Sequence, residues 1–545
     1  MQTRHLSYIL ITALGAVFFI PFIGSSHLFD WDEINFAESA REMILTGNYA
    51  TVQINYMPFW EKPPLFFWMQ VLAMKAFNVF DPNSGFAPEF GARFPNAIIG
   101  IITLLVFYRI GRKLYNEKFG LLWALGYLGS FTPHLYFKSG IIDPTFNLFI
   151  FLGVWYFSQS VSTNQNTSKR QTCGLLSGLF VGLAILTKGP VGGLLWGLTV
   201  FTFWGVNGFS ASFLKDAIKP FFSAIAIAFL VACIWFGLSI YQNGWGLFVE
   251  FIQYQIRLLT TGDAGHEQPF YYHFVVVLVG CFPISVLAIR ALGTSGSGNS
   301  QGEYFRKWMI YLFWVVMILF TIVKTKIVHY SSMAWFPVSY LAAYHVNNLL
   351  SGNWKWSKFT GFGLFFIGLV MAIALTAVPL VGQYAAQLIP YIKDDFAVAN
   401  LSAKITWGGW EQYMGLAYIV SVIVMVSMRN IRGLYIATAL CLFGYSAVVV
   451  SKIEGYSQRA AISFYESLKG KDVYVEPIGF KSYAQLFYFQ KQPQKPKTEA
   501  YLLNEPHLDK PAYFVMKITA DSAMKAHPNL RLIKEENGFL FYERK

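Results

Sequence analysis

The chain is poor in charge and in cysteine. Of its 545 residues, 13% are charged and 55% are hydrophobic, whereas soluble domains carry about 25% charged residues. The four cysteines all lie in apolar runs, which argues against a disulfide framework and predicts that the thiols pack as small apolar side chains. The sequence also lacks a Walker loop and a dinucleotide-binding glycine pattern. Nothing therefore points to a cytoplasmic catalytic domain that uses nucleotides.

Long apolar runs are abundant, and many exceed the ~18 residues needed to cross a bilayer. Because a lipid-exposed backbone must satisfy its hydrogen bonds internally, these runs predict an all-α, multi-pass membrane protein. The first run, Leu6 to Gly24, lacks a small-residue cleavage site and is interpreted as a retained span rather than a signal peptide. Thirteen spans are predicted, near residues 6–24, 90–109, 119–137, 140–158, 173–187, 189–206, 220–240, 271–291, 308–326, 329–348, 359–382, 411–428 and 432–450.

The net charge of +13 is distributed in a way that indicates membrane orientation rather than nucleic-acid binding. Lysine and arginine cluster in alternate loops, which is typical of cytoplasmic loops. The N-terminus is therefore predicted to be cytoplasmic, and the odd number of spans puts the C-terminus outside. The apolar segment 65–80 is interpreted as an interfacial helix, since counting it as a span would invert every later loop.

Two domains are predicted. Residues 1–451 form the membrane domain, with a long first outer loop over 25–89, and residues 452–545 form a small exported α/β domain. Within the second domain, 472–476 and 512–517 are predicted strands, and 481–489 is a predicted helix. A hairpin is predicted from 530–535 to 539–543, around an Asn-Gly turn. No internal repeat is evident, so the inverted-repeat plan of transporters has no support.

Four carboxylates occur within nine residues directly after the first span, at Asp30, Asp32, Glu33 and Glu38. Acids are expensive in lipid, so this cluster indicates a polar site at the membrane surface. Asp30 and Glu33 also fit a capping box that would start a helix over 33–46. Asp32 is not explained by capping and is a candidate general base that deprotonates an incoming hydroxyl group.

Several lysines at the outer ends of spans run against the positive-inside bias. They occur in Glu61-Lys62-Pro63-Pro64, in Thr187-Lys188-Gly189-Pro190 and in Lys324-Thr-Lys326-Ile-Val-His329-Tyr330. Attraction to a phosphate would explain them, because phosphate binds ammonium and phenol groups well. Snorkelling of Lys62, and interfacial anchoring by at least one of Lys324 and Lys326, are the alternatives.

Two further outer residues are notable. Asp143 stands at the start of an apolar helix, where an acid is functional by default unless it caps the helix. His266 alone is weak evidence for a metal site, since no nearby pair of histidines or cysteines gives a zinc spacing. The outer side of the membrane thus collects acids, cations and a histidine. Nucleotides are scarce there, so an activated donor used at this site must be lipid-borne.

As an ordered set, these motifs resemble those of the bacterial lipid A aminoarabinose transferases, which group with the protein O-mannosyltransferases among the GT-C glycosyltransferases. The resemblance covers essentially the whole chain, including the predicted layout of spans and C-terminal domain. It rests on Trp31-Asp32-Glu33-(x)3-Ala37-Glu38, Glu61-Lys62-Pro63-Pro64-Leu65, Leu186-Thr187-Lys188-Gly189-Pro190, His266-(x)2-Pro269-Phe270-Tyr271-Tyr272 and Lys326-Ile-Val-His329-Tyr330.

The resemblance implies a sugar donor carried on undecaprenyl phosphate and used on the periplasmic face of a bacterial inner membrane. The acceptor would be a lipid A-like glycolipid or, alternatively, a protein or another envelope glycan. One departure matters: Asn35 stands where the aminoarabinose transferases commonly have an arginine. A cationic phosphate contact is then missing, which puts the aminoarabinose substrate in question but not the broader family.

The resemblance also implies roles for individual residues. It places the catalytic acids at Asp32, Asp143 and Glu33. It implies a divalent-metal site, with zinc as the expected ion, at Glu61 and His266. It implies that the donor phosphate is held by Lys62, Lys188, Tyr330 and Lys326.

Two rival classes remain open. A transporter or flippase for the same lipid-linked sugar would place its ionisable groups near the bilayer midplane, in broken helices, whereas here they crowd the outer face. A receptor or assembly protein that acts through its exported domain would leave the polar first loop unexplained.

Overall fold

Helices make up most of the molecule (68%). The structure is a computed structural model that describes residues 2–162, 166–260, 268–294 and 300–545. The helices of the first half are α1 (Gln2–Phe19), α2 (Asp32–Thr46), α3 (Leu65–Ala76), α4 (Pro88–Leu114), α5 (Glu117–Leu128), α6 (Phe131–Tyr136), α7 (Asp143–Ser160), α8 (Thr167–Lys188), α9 (Val191–Val206), α10 (Ala211–Asn243) and α11 (Trp245–Thr260).

The second half adds helices that become shorter toward the C-terminus. They are α12 (Tyr272–Gly280), α13 (Ile284–Gly293), α14 (Ser300–Ile322), the 3-10 helix Val328–Ala334, α15 (Trp335–Leu350), α16 (Lys358–Gln383), α17 (Ala385–Leu388), the 3-10 helix Ile389–Tyr391, α18 (Asp395–Leu401), α19 (Gln412–Ser427), α20 (Ile431–Val448), α21 (Val450–Ser457), α22 (Arg459–Ser467), α23 (Ala484–Phe487), α24 (Glu499–Asn504) and α25 (Ser522–Lys525).

The protein is a multi-pass membrane protein. In the described ranges, six helices are long and apolar enough to cross a bilayer, namely α4, α8, α10, α14, α16 and α20, and the pair α12–α13, bent by 117°, would add a seventh. Each of the thirteen predicted spans coincides with a helix or a broken helix pair. The number of those elements that cross the bilayer stays a prediction, since several are short.

Aromatic side chains fill the interior of the helical bundle, which accounts for much of the 18% aromatic content. Phe107 stacks on Trp123 with ring centroids 4.4 Å apart, and Phe203 stacks on Trp308 at 4.0 Å. All four rings are buried. Stacked and edge-on aromatic pairs stabilise a core beyond the area they bury, and here they hold together helices that lipid would not drive together.

Strands occur in two places. A short antiparallel pair, β1 (Gln53–Ile54) and β2 (Met57–Pro58), lies in the first outer loop. The C-terminal sheet contains β3 (Tyr474–Ile478), β4 (Ala512–Lys517), β5 (Leu530–Glu536) and β6 (Phe539–Arg544) in the order β3-β4-β6-β5, with β3 and β4 parallel and the other pairs antiparallel.

The β5–β6 connection follows the sequence signal. Asn537 and Gly538 both have positive φ, 48° and 81°, as a primed two-residue hairpin turn requires. The predicted helix over 481–489 is shorter than expected, since only α23 forms within it.

The first outer loop and the C-terminal segment share one hydrophobic core. Phe36 of α2 and Phe66 of α3 belong to the same buried cluster as Ile462 of α22, Phe487 of α23 and Phe541 of β6. The C-terminal segment is therefore packed directly against the loop that carries the candidate catalytic acids.

Buried polar contacts add to this packing. Arg41 of α2 pairs with Glu38 at 2.6 Å and donates to the carbonyl groups of Leu486 and Lys491. Burial of a charge is tolerated only with such full pairing. The Arg41 guanidinium thus ties α2 to the C-terminal segment in a fixed orientation.

The start of α2 differs from the predicted capping box. The helix begins at Asp32, and the cap position is Trp31, which makes no side-chain capping bond. The carboxylate of Asp30 instead accepts a hydrogen bond from Ser482. Asp30 therefore links this loop to the C-terminal segment and is not the helix cap. The cap position is Trp31, one residue later than the pattern predicts.

Candidate active site

A cavity of about 1300 Å³ opens between the first outer loop and the outer ends of the membrane helices. Its walls come from α2, the segment before α3, α7, α8, α11 and the 3-10 helix Val328–Ala334. Seven of the nine predicted site residues line it: Asp32, Glu33, Glu61, Lys62, Asp143, Lys188 and Tyr330.

Asp32 faces this cavity from the first turn of α2, and its side chain is 37% exposed. Its Oδ2 lies 3.7 Å from Nε2 of His329, a side chain that is itself 27% exposed. On its other side, Nδ1 of His329 makes a 2.6 Å hydrogen bond with the hydroxyl group of Tyr136. Within the described residues, Asp32 is thus an accessible carboxylate whose contact with His329 is loose, which leaves lone pairs available for a substrate.

Asp143 and Lys188 form a tight ion pair, with 2.5 Å between Oδ1 and Nζ. Asp143 starts α7, and its carboxylate makes no cap, so the capping alternative does not apply. Lys188 ends α8, and its ammonium group lies 5.6 Å from the ring centroid of Tyr330. The ammonium and the phenol are therefore neighbours, as a shared phosphate contact would require.

Glu61 and Lys62 meet Tyr254 of α11. The Tyr254 hydroxyl donates to Oε2 of Glu61 at 2.9 Å, and Nζ of Lys62 lies 5.2 Å from the Tyr254 ring centroid. Burial lowers the pKa of Lys62, and the nearby Lys188 lowers it further, while Glu61 acts in the opposite direction. A buried ammonium group of this kind is stabilised when an anion enters the cavity beside it.

Glu33 is arranged differently from Asp32. It is 6% exposed and pairs with the 4% exposed Arg93 at 2.8 Å. Its oxygens also accept from the backbone N–H groups of Phe29 and Gly140. Burial alone would raise the pKa of Glu33, but Arg93 and the two backbone donors together lower it. A carboxylate with all its lone pairs taken cannot act as a base, so Glu33 does not fit the predicted catalytic role and instead fixes α2 against Gly140.

The C-terminal segment closes one side of the cavity. Lys481 lines the wall, with its Nζ 4.2 Å from the ring centroid of Trp31. Burial raises the pKa of Asp30 to about 6, against the lowering effect of its hydrogen bond from Ser482. The Trp31 ring also contacts Tyr483 edge-on at 5.2 Å. The loop before α23 therefore reaches the residues next to Asp32.

Three predicted positions fall outside this arrangement or change its chemistry. Lys326 is absent from the described lining of the cavity, whereas its neighbours Thr325 and Ile327 are present. The phosphate contact predicted for Lys326 stays a prediction. His266 lies outside the described residues. Asn35, which stands where the family resemblance leads us to expect an arginine, is 2% exposed at the cavity wall.

Sequence reasoning missed several residues of this site. His329 belongs to the motif Lys326-Ile-Val-His329-Tyr330, but the sequence gave no reason to assign it a role. Tyr136 lies within an apolar run and carries no signal of its own. Lys481 is about 450 positions from Asp32 along the chain, so no sequence spacing could join them. Only folding of the C-terminal segment onto the first outer loop brings them to one wall.

The described residues do not form a complete metal site. Within those ranges, no three His, Cys, Asp or Glu side chains lie close enough together to hold an ion. Glu61 is the one predicted ligand that the structure describes, and it already accepts a hydrogen bond from Tyr254. The described residues therefore supply at most one side of a metal shell, and no chemical step is assigned to a metal.

Sequence comparison finds relatives with a related chemistry. Residues 61–236 match the family model described as dolichyl-phosphate-mannose-protein mannosyltransferase. The chain is 27% identical over 384 residues to the undecaprenyl phosphate-alpha-4-amino-4-deoxy-L-arabinose arabinosyl transferase of Edwardsiella ictaluri (strain 93-146). That match covers 68% of this chain and spans 65% of the length of the Edwardsiella protein.

Comparison of folds extends the similarity to the whole chain. The crystal structure of ArnT from Cupriavidus metallidurans bound to undecaprenyl phosphate superimposes with a TM-score of 0.76 over 98% of this chain and 97% of that one, at 17% identity. The archaeal oligosaccharyltransferase AglB from Archaeoglobus fulgidus matches with a TM-score of 0.52 over 96% and 70%, at 11% identity. The chain therefore shares the fold of these two solved structures over nearly its whole length, and residues 61–236 also match the mannosyltransferase family model.

Proposed function

We propose that this protein transfers a sugar from undecaprenyl phosphate to a lipid A-like glycolipid, and that the sugar is aminoarabinose or a related one. The observation that carries the proposal is the composition of the cavity. It holds an accessible carboxylate, Asp32, together with two lysines and a phenol at Lys62, Lys188 and Tyr330. A base near a phosphate-binding cluster is what transfer from a phosphate-linked sugar needs.

The cationic cluster suits a donor whose leaving group is a lipid phosphate. Lys62 and Lys188 are close enough to affect each other electrostatically, so an anion between them relieves a repulsion as well as forming two contacts. Negative charge grows on the phosphate as the sugar departs, and fixed cations stabilise that charge most in a water-poor site.

Apolar residues line the remaining wall and suit a polyprenyl chain. They include Leu135 of α6, Leu194 of α9, and Leu319 and Val323 in and directly after α14. A donor could therefore place its tail among these side chains while its phosphate reaches Lys62 and Lys188.

In the proposed reaction, an acceptor oxygen attacks the anomeric carbon of the donor. A carbon–oxygen bond forms to the acceptor, the bond from that carbon to the phosphate oxygen breaks, and undecaprenyl phosphate leaves with the bonding electrons. Where the acceptor is a hydroxyl group, Asp32 takes its proton. Asp143, held by Lys188, would keep that ammonium group oriented toward the phosphate.

The proposal includes the finer topology predicted from the charge pattern. The protein would lie in a bacterial inner membrane with thirteen spans, a cytoplasmic N-terminus and a periplasmic α/β domain over 452–545. The alternation of lysine and arginine between loops supports this orientation. Labelling of a cysteine introduced at Tyr501 in cells with a permeable outer membrane and an intact inner membrane tests it; labelling only after the inner membrane is opened would contradict it.

A divalent ion, with zinc as the expected one, is proposed at Glu61 and His266, with donor phosphate or water completing the shell. Glu61 supports this from the described chain, since it faces the cavity beside Lys62. Metal analysis of the donor-bound protein tests it. Stoichiometric zinc that is lost in His266→Ala would support the site. The absence of a bound ion, together with full activity after treatment with a chelator, would contradict it.

The test of the function is a transfer assay with purified protein, an undecaprenyl-phosphate sugar and lipid A. Wild-type protein should form the glycosylated product, and Asp32→Asn should reduce turnover by about 10²–10⁴-fold, as expected for loss of a general base. Asp81→Asn is the matched control, because Asp81 lies in the same outer loop but makes only local turn contacts.

The assay also separates the alternatives. Product on a peptide acceptor but not on lipid A would assign the chain to protein O-glycosylation. Movement of the donor across proteoliposomes without any product would identify a lipid-linked sugar transporter instead.

A further inference from the structure

Three side chains from separate parts of the chain form a line that ends at Asp32. Tyr136 ends α6, His329 lies in the 3-10 helix Val328–Ala334, and Asp32 starts α2. The hydroxyl group of Tyr136 is 2.6 Å from Nδ1 of His329, and Nε2 on the far side of the ring is 3.7 Å from Oδ2 of Asp32.

The imidazole is held in place by a second set of contacts. Ser332 donates to the carbonyl oxygen of His329 at 2.6 Å and accepts from the amide of Asn147 on α7 at 2.9 Å. The ring of Tyr136 packs edge-on against Trp335 with centroids 4.5 Å apart. Both the backbone of His329 and the partner of its ring are therefore fixed by buried neighbours, as a residue that must orient another side chain requires.

The direction of the Tyr136 bond sets the tautomer of the imidazole. The hydroxyl hydrogen of Tyr136 has no recorded acceptor within the described chain other than Nδ1 of His329. Which of the two atoms donates depends on the imidazole tautomer, and we assign the tautomer in which Tyr136 donates. The proton of a neutral imidazole then sits on Nε2, because a neutral ring has one donor and one acceptor nitrogen. That N–H points toward Oδ2 of Asp32.

We propose that His329 and Tyr136 are positioning residues for Asp32. The Nε2–H group of His329 lies 3.7 Å from Oδ2, just beyond hydrogen-bond distance. It forms the bond when substrates bind and then orients the carboxylate so that Oδ1 faces the acceptor. This inference rests on the proposed function and adds two residues to it. During transfer, the acceptor proton moves to Asp32 while His329 stays neutral, so the imidazole neither gains nor loses a proton and only orients the base.

The experiment compares three variants in the transfer assay. His329→Ala should lower kcat by about 10²-fold, the cost of a misplaced catalytic group, with the KM for donor unchanged. His329→Gln should recover part of that loss, since its amide N–H can reach Asp32 from the same position. Tyr136→Phe keeps the ring packing on Trp335 but removes the contact with Nδ1, so its kcat should fall by a smaller factor than that of His329→Ala, with the KM for donor unchanged.

Tyr418→Phe is the control for loss of a buried hydroxyl group. Its hydroxyl bonds to Thr438 at 2.8 Å, away from the cavity, so its kcat should match wild type. A folded His329→Ala with wild-type kcat, a His329→Gln that recovers nothing, or a folded Tyr136→Phe with wild-type kcat would overturn the inference. Absence of transfer by the wild-type protein would instead reject the proposed function.

Discussion

Asp32 and Glu33 are neighbours on one helix, yet they lie in contrasting surroundings. Glu33 is enclosed, and its oxygens are taken by Arg93 and two backbone N–H groups. Asp32 faces the cavity, and among the described residues its carboxylate lies 3.7 Å from His329. Adjacent positions on a helix point about 100° apart, which is enough to send one acid into the protein and the other toward the substrate.

The contrast shows that an acidic residue at a membrane surface has two separate uses. A carboxylate whose partners are complete stabilises the geometry of the site, whereas a carboxylate with free lone pairs can perform chemistry. Composition cannot distinguish the two, because both are acids in the same motif. The number and kind of partners distinguishes them.

The largest expected effect is on the enclosed pair. Arg93→Ala should destabilise the protein by about 3–5 kcal/mol, because it leaves Glu33 buried and unpaired. Thermal unfolding in detergent measures this loss. The double variant Glu33→Leu with Arg93→Met should regain most of the stability, since an apolar pair can replace a buried ion pair.

The double variant also tests the role of Glu33 in the reaction. If Glu33 only positions α2, the folded double variant should retain much of the transfer rate, whereas Asp32→Asn should not. A stable double variant with no turnover would show that Glu33 takes part in catalysis, and the two acids would then not differ in role.

A smaller effect is expected at the cationic end of the cavity. Lys62→Ala should weaken donor binding by roughly 10- to 100-fold, from loss of a charge-assisted hydrogen bond worth about 1.5–3 kcal/mol. Titration with undecaprenyl phosphate measures the Kd. Lys75→Ala is the control, because Lys75 on α3 contacts Tyr49 outside the cavity; equal Kd values for both variants would favour the snorkelling interpretation of Lys62.

The smallest expected effect is a pH dependence of donor affinity. Burial and Lys188 lower the pKa of Lys62, so its ammonium form is lost at a lower pH than for an ordinary lysine. Donor affinity should be greatest below that pKa and should fall as pH rises through it. Lys62→Arg should keep affinity at higher pH, because arginine stays charged; the same decline in both proteins would assign the effect to another group.

Much of the fold could be predicted from the sequence. Apolar runs long enough to cross a bilayer, together with the alternating basic loops, predicted the helical elements. The Asn537-Gly538 turn predicted the β5–β6 hairpin. These signals are local, since each depends on a few consecutive residues. Seven of the nine predicted site residues also meet in one cavity.

The sequence does not predict contacts that form only in the tertiary structure. Asp30 has a capping pattern but bonds to Ser482, which is more than 450 positions away. Lys326 lies in a motif with Tyr330, but of these two residues Tyr330 alone lines the described cavity. Tyr136 carries no local signal, because its role arises only when α6 meets the 3-10 helix Val328–Ala334.

The size of the cavity has a kinetic consequence. Its volume of about 1300 Å³ exceeds the range of about 300–1,000 Å³ that is usual for a site holding one small molecule. Donor headgroup and acceptor headgroup can therefore occupy it together, with neither product leaving before both substrates have arrived. Initial rates measured at several fixed acceptor concentrations should give intersecting rather than parallel double-reciprocal plots, the pattern of an ordered or random ternary complex with no glycosyl-enzyme intermediate.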